Sequence, residues 1–326
     1  MEDANVQFKN MSTHAANTCF KKVHLHPSPT WHINALIPRH VHCQAESSNP
    51  STHLPNQSNM TNQHLSVPLL SPYAIKLAEL CAINLWEGID YQTGNHIVRD
   101  ELFLGNFATP ASSLYSGRSN TLNVSIQDFH TFVIVAGLRS QYQTSTGTDL
   151  AKGISAFNAA VLPSYTSWKK KSTTQSSVDL VTKAVIDWSP SFVKNPNKAS
   201  RVGNHRISIA SRFLFYAYPD FPVFNFSKAL SKSLNLQYDS QAAIPYFNEI
   251  MTEGMETNKF LLSKTKMPLP TSMSVVLWRR AEKNGWWKRR VLDLALLLHF
   301  KCMTARTELQ REARRLTRPK PKAKKP

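Results

Sequence analysis

One internal stretch, ISIASRFLFYAYPDFPVFNFSKAL, constrains the fold of this chain more than any other. Its first twelve residues, 207–218, are apolar almost all the way round a helix. One stripe and a set of aromatic side chains cover the surface: Ile207, Ala210, Leu214 and Ala217, with Phe213, Phe215, Tyr216 and Tyr218. A helix that is hydrophobic on every side is buried among other elements. The sequence therefore predicts a helix in the middle of a helical bundle.

The segments on either side of this helix have the composition of turns. The basic stretch NKASRVGNHR precedes it and contains the turn Val202-Gly203. Pro219 and Pro222 end the helix, because proline lacks a backbone donor and its ring clashes with the preceding turn. Asn225 then stands where a residue could cap a second helix, FSKALSKSLNL.

The rest of the chain from residue 71 onward also predicts a mainly α fold. SPYAIKLAELCAINLWEG has a capping serine, a proline at the first helical position and a closing glycine. Helices are likewise predicted in TLNVSIQDFHTFVIVAGLRSQ, whose TFVIVAG part could instead be a buried strand, and in SSVDLVTKAVIDW and PTSMSVVLWRRAEKNG. WWKRRVLDLALLLHFKCMTARTELQREARRL is predicted as one long helix. Glycines and prolines punctuate residues 89–123, which is compatible with a small β region.

Composition divides the chain into three parts. Residues 1–70 hold eight of the twelve histidines and show no sustained apolar period, which predicts a largely disordered segment. Residues 71–316 carry the helical patterns, and residues 317–326 form a Lys/Pro tail without a large apolar anchor. The histidine spacing matches no common zinc pattern, and the four cysteines show no CxxC spacing. We therefore expect no metal, no cofactor and no disulfide framework.

Charge indicates the partner. The formal net charge is +18, and residues 271–326 alone hold sixteen lysines and arginines against four aspartates and glutamates. Such a balance favours a polyanion, and we expect nucleic acid rather than a merely solubilising charge. The N-terminus lacks the basic-then-apolar order of a secretory signal, and the most apolar run, VLDLALLLHF, is too short to span a bilayer. We expect a soluble, cytoplasmic protein with no membrane partner.

The order of Gly turn, buried helix, proline-containing loop and capping position resembles the helix-hairpin-helix DNA glycosylases, especially divergent bacterial proteins similar to 8-oxoguanine DNA glycosylases. Val202-Gly203 match the end of the family's hairpin, and Asn225 falls where the family has its catalytic aspartate. The match covers residues 202–230, and the helical surroundings between residues 71 and 316 agree in general character.

This resemblance implies a helix-hairpin-helix element that binds double-stranded DNA. In the family, backbone N–H groups of the turn hold a phosphate, a nucleotide is extruded into a pocket, and a carboxylate stabilises the positive charge on the sugar or activates the attacking group. The residues expected to bind DNA on this basis are Arg201, Val202, Gly203, Asn204, His205, Arg206 and Lys228, joined by Lys288, Arg289 and Arg290.

Three positions depart from the family pattern. Arg201 replaces the first hairpin glycine, and His205 replaces the lysine of members that cleave the strand, so we expect no Schiff-base lyase at this position. Asn225 lacks the charge of an aspartate. Three interpretations follow: Asn225 caps a helix in a protein that binds DNA without cutting it, Asn225 orients a water molecule, or the loop brings Asp220 into the carboxylate role instead.

A second basic segment has two interpretations as well. Trp286 and Trp287 could stack on bases beside the phosphate contacts of the following residues. Alternatively the two tryptophans anchor a helix in the core, and Arg289 and Arg290 pair with Asp293.

The leading functional hypothesis is base excision from DNA by a monofunctional N-glycosylase, with Asn225 and Asp220 as its candidate catalytic residues. Its substrate could be a damaged base in DNA repair or, for a divergent member, a modified base of phage DNA in antiviral defence. The alternative is a non-enzymatic DNA-binding or assembly protein on the same scaffold. A third hypothesis, an RNA-binding accessory protein, rests on charge alone.

Overall fold

The computed structural model describes residues 67–104, 159, 161, 163–170, 176–188, 207–238 and 240–319. Within these ranges the chain contains no β-strand, and only an isolated bridge pairs Ile89 with His96. The mainly α prediction is confirmed for this part of the chain. The N-terminal segment up to residue 66, the helix predicted at 121–141, the hairpin at 201–206 and the tail lysines lie outside the described residues.

The helices are labelled here in chain order. They are α1 (Pro72–Glu87), α2 (Ser177–Trp188), α3 (Ile207–Ala217), α4 (Lys228–Ser233), α5 (Ala243–Thr257), α6 (Lys259–Leu262), α7 (Val275–Lys283), α8 (Trp286–His299) and α9 (Thr307–Thr317). Residues 100–104 and 163–170 are also helical. No helix in the described ranges is long and apolar enough to cross a bilayer.

The first two helices begin and end as the sequence predicts. The Ser71 hydroxyl accepts a hydrogen bond from the Ala74 N–H at 3.1 Å, and Gly88 closes α1 in the left-handed conformation, with φ of 81°. At the start of α2, Ser176 and Asp179 form a reciprocal capping box, in which each side chain accepts from the other's backbone N–H.

Two predicted helix boundaries are wrong. Helix α4 is capped by Ser227, whose hydroxyl accepts from the Leu230 N–H, and not by Asn225. The long C-terminal helix is in fact α8 and α9. Lys301 adopts a φ of 55° after α8, and the N–H groups of Lys301 and Cys302 bond to Leu298 and Leu297. These two bonds form a Schellman motif, which ends a helix.

The core forms around α3, as its apolar surface predicts. Ile207, Ala210, Leu214 and Ala217 are each 0% exposed. Helix α2 packs against α3 and α5, and α8 packs against α1. The Trp286 indole donates to the Phe215 carbonyl at 2.9 Å, which joins the start of α8 to α3.

The packed domain starts earlier than the predicted boundary at residue 71. Val67 and Leu70 are buried in the core. The amide of Asn258 accepts from the Leu70 N–H at 2.8 Å and donates to the Pro68 carbonyl at 3.3 Å. Residues 67–70 therefore belong to the folded part, because their backbone polar groups are bonded to the end of α5.

Candidate functional site

Asn225 lies in the irregular segment 222–227, between α3 and α4. Since Ser227 caps α4, the interpretation of Asn225 as the cap is wrong. The Asn225 side chain instead lies close enough to the carboxyl group of Asp293, which α8 brings from far along the chain, to favour the ionised form of that carboxyl and so lower its pKa. Asn225 is half-buried, whereas Asp293 is only 2% exposed. The loop after α3 thus holds an amide beside a buried carboxyl group.

The pKa of Asp293 is raised to about 6, chiefly by burial and in smaller part by the charge of Asp100. Arg290, Asn225 and Arg212 oppose this rise by favouring the ionised form. Among the described residues, no donor lies within hydrogen-bond distance of Asp293 Oδ1. A buried acceptor without a bond is rare in folded proteins, and a carboxyl that titrates near neutral pH can take up or release a proton.

Asp293 belongs to a buried charge network. Arg290 Nη1 lies 3.6 Å from the Asp293 carboxylate, and Arg290 Nε donates to Asp100 at 2.8 Å. The Tyr216 hydroxyl donates to the other oxygen of Asp100 at 2.9 Å, and burial raises the pKa of this phenol. We call Arg212, Asn225 and Asp293, together with Asp100, Tyr216 and Arg290, the polar site.

Two arginines predicted to bind DNA lie inside the protein. Arg289 is 4% exposed, and its guanidinium donates to three backbone carbonyls, those of Pro219, Phe221 and Asn284. The Arg290 side chain is 11% exposed and bonded to Asp100. Both guanidiniums are bonded to groups of the protein itself, which argues against their predicted contacts with phosphate. The predicted pairing of Arg290 with Asp293 is present.

The other residues of the second basic segment divide between core and surface. Trp286 and Trp287 are 0% and 2% exposed, so they anchor α8 in the core and do not stack on bases. Lys288 is half-buried. Lys228, at the first position of α4, is exposed. Both lysines stay candidates for phosphate contacts, and the hairpin candidates Arg201 to Arg206 lie outside the described residues.

Asp220 is a second buried carboxylate, but it is already paired. Its side chain accepts from Lys169 Nζ at 2.7 Å and from the Tyr165 hydroxyl at 3.0 Å. Tyr165 packs on Tyr218 with ring centroids 4.5 Å apart. Asp220 therefore faces the interior and not solvent, and its charge is compensated by Lys169. The carboxylate beside Asn225 is Asp293.

Asp293 is the functional candidate that the sequence did not put forward. One feature of the sequence could have identified it: Asp293 is a single acidic residue inside the otherwise apolar run VLDLALLLHF. A buried carboxylate is costly unless it is paired, so an aspartate at such a position calls for a specific role. Among the described residues, no group of three or more His, Cys, Asp and Glu could hold a metal ion.

Comparison with known proteins identifies no relative. A scan against protein-family models finds no match, and searches of curated proteins and of solved structures find none either.

Proposed function

We propose that this protein binds double-stranded DNA and excises a damaged or modified base as a monofunctional N-glycosylase. The observation that carries the proposal is the buried carboxyl group of Asp293, 2% exposed, whose ionised form Asn225 favours. Asn225 occupies the family's aspartate position, and Asp293 supplies there the negative charge that an amide lacks. The mainly helical fold, with α3 buried immediately before the proline-containing loop, supports the same proposal.

The chemistry needs one carboxylate and one water. The bond between C1′ and the base nitrogen breaks, its electrons leave with the base, and positive charge develops on the sugar. Ionised Asp293 stabilises that charge and accepts the proton of the water that attacks C1′. Asn225 orients the water, because an amide can both donate and accept a hydrogen bond. Arg290 favours the ionised form of Asp293.

The charge of the chain supports DNA as the substrate. The net charge is +18, and Lys228 is exposed three residues after Asn225. The basic residues 201–206 immediately precede α3, which carries Arg212 and Tyr216 of the polar site. The turn that the sequence predicts at these residues would hold the phosphate backbone while the base is extruded. The protein would act in the cytoplasm on damaged bases or on modified bases of phage DNA.

Base release from a panel of duplexes tests the proposal. The duplexes contain normal, oxidised, deaminated, hydroxymethylated or glucosylated bases, and alkali reveals abasic sites. We expect the wild type to release a base, and Asp293→Asn and Asn225→Ala to slow release by on the order of a hundredfold or more. Asp220→Asn is the matched control and should retain release while it stays folded. Release that survives Asp293→Asn but is lost in Asp220→Asn would assign the carboxylate to Asp220.

One observation favours a second function, DNA binding without excision. Asp293 is 2% exposed and lies 3.6 Å from Arg290, so its charge is partly compensated inside the protein. A network of this kind also fixes the relative positions of α3 and α8 in a purely structural role. Tight, salt-sensitive duplex binding without any abasic site in the panel would establish this alternative.

A further inference from the structure

Arg212 is a half-buried cation next to the proposed site. It follows Ser211 on α3, and the Ser211 hydroxyl accepts from the Phe226 N–H at 3.1 Å. Phe226 is the residue after Asn225, so this hydrogen bond holds the backbone of Arg212 close to that of Asn225. Arg212 and Asn225 are both half-buried, whereas Asp293 is 2% exposed. Arg212 and Asn225 therefore form the outer part of the polar site, and Asp293 its inner part.

The two arginines of the polar site differ in their partners. Arg290 is bonded to Asp100 and lies beside Asp293. Within the described ranges, Arg212 forms no ion pair within 4 Å. Its positive charge nevertheless lowers the pKa of both Asp293 and Tyr216. A guanidinium that is half-buried without a carboxylate in contact is suited to bind an external anion, because its planar donors match the oxygens of a phosphate.

We propose that Arg212 binds the DNA backbone phosphate next to the nucleotide that enters the polar site. The inference rests on the proposed function and specifies how the strand is held there. A phosphate would bind Arg212 at the outer edge of the polar site, while Arg290 stays paired with the buried carboxylates of Asp100 and Asp293. The strand is then fixed on the side where Asn225 reaches the surface.

Binding of a fluorescein-labelled duplex that contains a tetrahydrofuran abasic-site analogue tests the inference. We expect Arg212→Gln to weaken binding about tenfold, as for the loss of a charged hydrogen bond. The slope of log K against log salt concentration should fall in magnitude by about one, because one phosphate contact is lost. Arg212→Lys should restore part of the affinity, since an ammonium keeps the charge without the bidentate geometry.

Arg279→Gln is the matched control, because it removes the same charge from an exposed arginine on α7. Equal losses of affinity in Arg212→Gln and Arg279→Gln would mean that only net charge matters and would overturn the inference. Thermal melts identify any variant that fails to fold. If Arg212→Gln does not fold, the affinity of Arg212→Lys is compared with that of Arg279→Gln instead. Duplex binding by the wild type without base release would refute the proposed excision, and the comparison of Arg212 with Arg279 would still decide this inference.

Discussion

The pKa of Asp293 is set by groups with opposing effects. Burial and Asp100 favour its neutral form, whereas Arg290, Asn225 and Arg212 favour the carboxylate. Burial is the largest of these effects, so the pKa lies at about 6 and not below the ordinary value of 3.8. Between these two pH values the folded protein binds a proton that the unfolded chain has lost. The stability contributed by protonated Asp293 is therefore lost as pH rises through this range.

The variant Asp293→Asn tests this pH dependence. Asparagine resembles the protonated acid in shape and has no charge to desolvate. We expect the free energy of unfolding of the variant, relative to the wild type, to rise between about pH 4 and about pH 7 by roughly 3 kcal/mol, since one pKa unit corresponds to about 1.4 kcal/mol. Urea unfolding across the pH series measures the difference. A difference that is constant with pH would show that the pKa of Asp293 is unchanged by folding.

At the scale of the helices, local signals predict an element well when the capping residues are the common ones. Ser71, Pro72 and Gly88 identify both ends of α1, and Ser176 identifies the start of α2. The end of α8 escaped prediction because a lysine, Lys301, adopts the left-handed conformation that usually calls for glycine. The sequence pattern does not indicate that Lys301 adopts this conformation, because the conformation depends on how the following residues pack.

The candidate site shows the same limit over a longer range. The resemblance puts Asn225 forward as a candidate, whereas the buried carboxyl group beside it belongs to Asp293 on another helix. Periodicity predicts which face of a helix is buried, and it does not say which residue the face meets. Arg289 illustrates the consequence: a basic residue in a basic segment is predicted at the surface, whereas three carbonyls hold it inside.

Helix α5 depends on a glycine where it meets residues 67–70. A Cβ added at Gly254 would lie 2.9 Å from Val67 Cγ2 and 3.0 Å from Val67 Cγ1. We expect Gly254→Ala to destabilise the protein by about 1–3 kcal/mol through overpacking, despite the better helix propensity of alanine. Urea unfolding measures the effect.

A double-mutant cycle with Val67→Ala isolates this contact, because that change removes both methyl groups. The cost of Gly254→Ala should be smaller in the Val67→Ala background. Glu253→Ala, on an exposed position of the same helix, is the control and should change stability by less than about 0.5 kcal/mol. An equal cost in both backgrounds would show that the segment with Val67 does not pack on α5 in solution.

On the scale of the whole molecule, the positive charge is concentrated toward the C-terminus. Arg311, Arg314 and Arg318 are exposed on and just after α9, and four lysines follow in the tail. Ala313 is the last residue of the chain described as buried. The tail charge can therefore be removed without changing the described core.

Replacing the four tail lysines, Lys320, Lys322, Lys324 and Lys325, by glutamine tests their part in DNA binding. We expect the slope of log K against log salt concentration to fall in magnitude by up to about 3–4, with no change in Tm, because each phosphate contact contributes about 0.9 to the slope. Pro321→Ala with Pro326→Ala keeps the charge and is the control. An unchanged slope would mean that the tail only increases solubility.

The bonds of Arg289 have a consequence for any molecule that enters the polar site. One guanidinium joins the turn after α3 to the start of α8, and these two pieces of chain lead to Asn225 and to Asp293. The amide and the carboxylate are therefore preorganised, and a strand bound as proposed would not have to draw them together. The protein would adjust little at this point. In the proposed complex the cost of distortion would fall on the DNA, which would favour bases whose stacking is already weak.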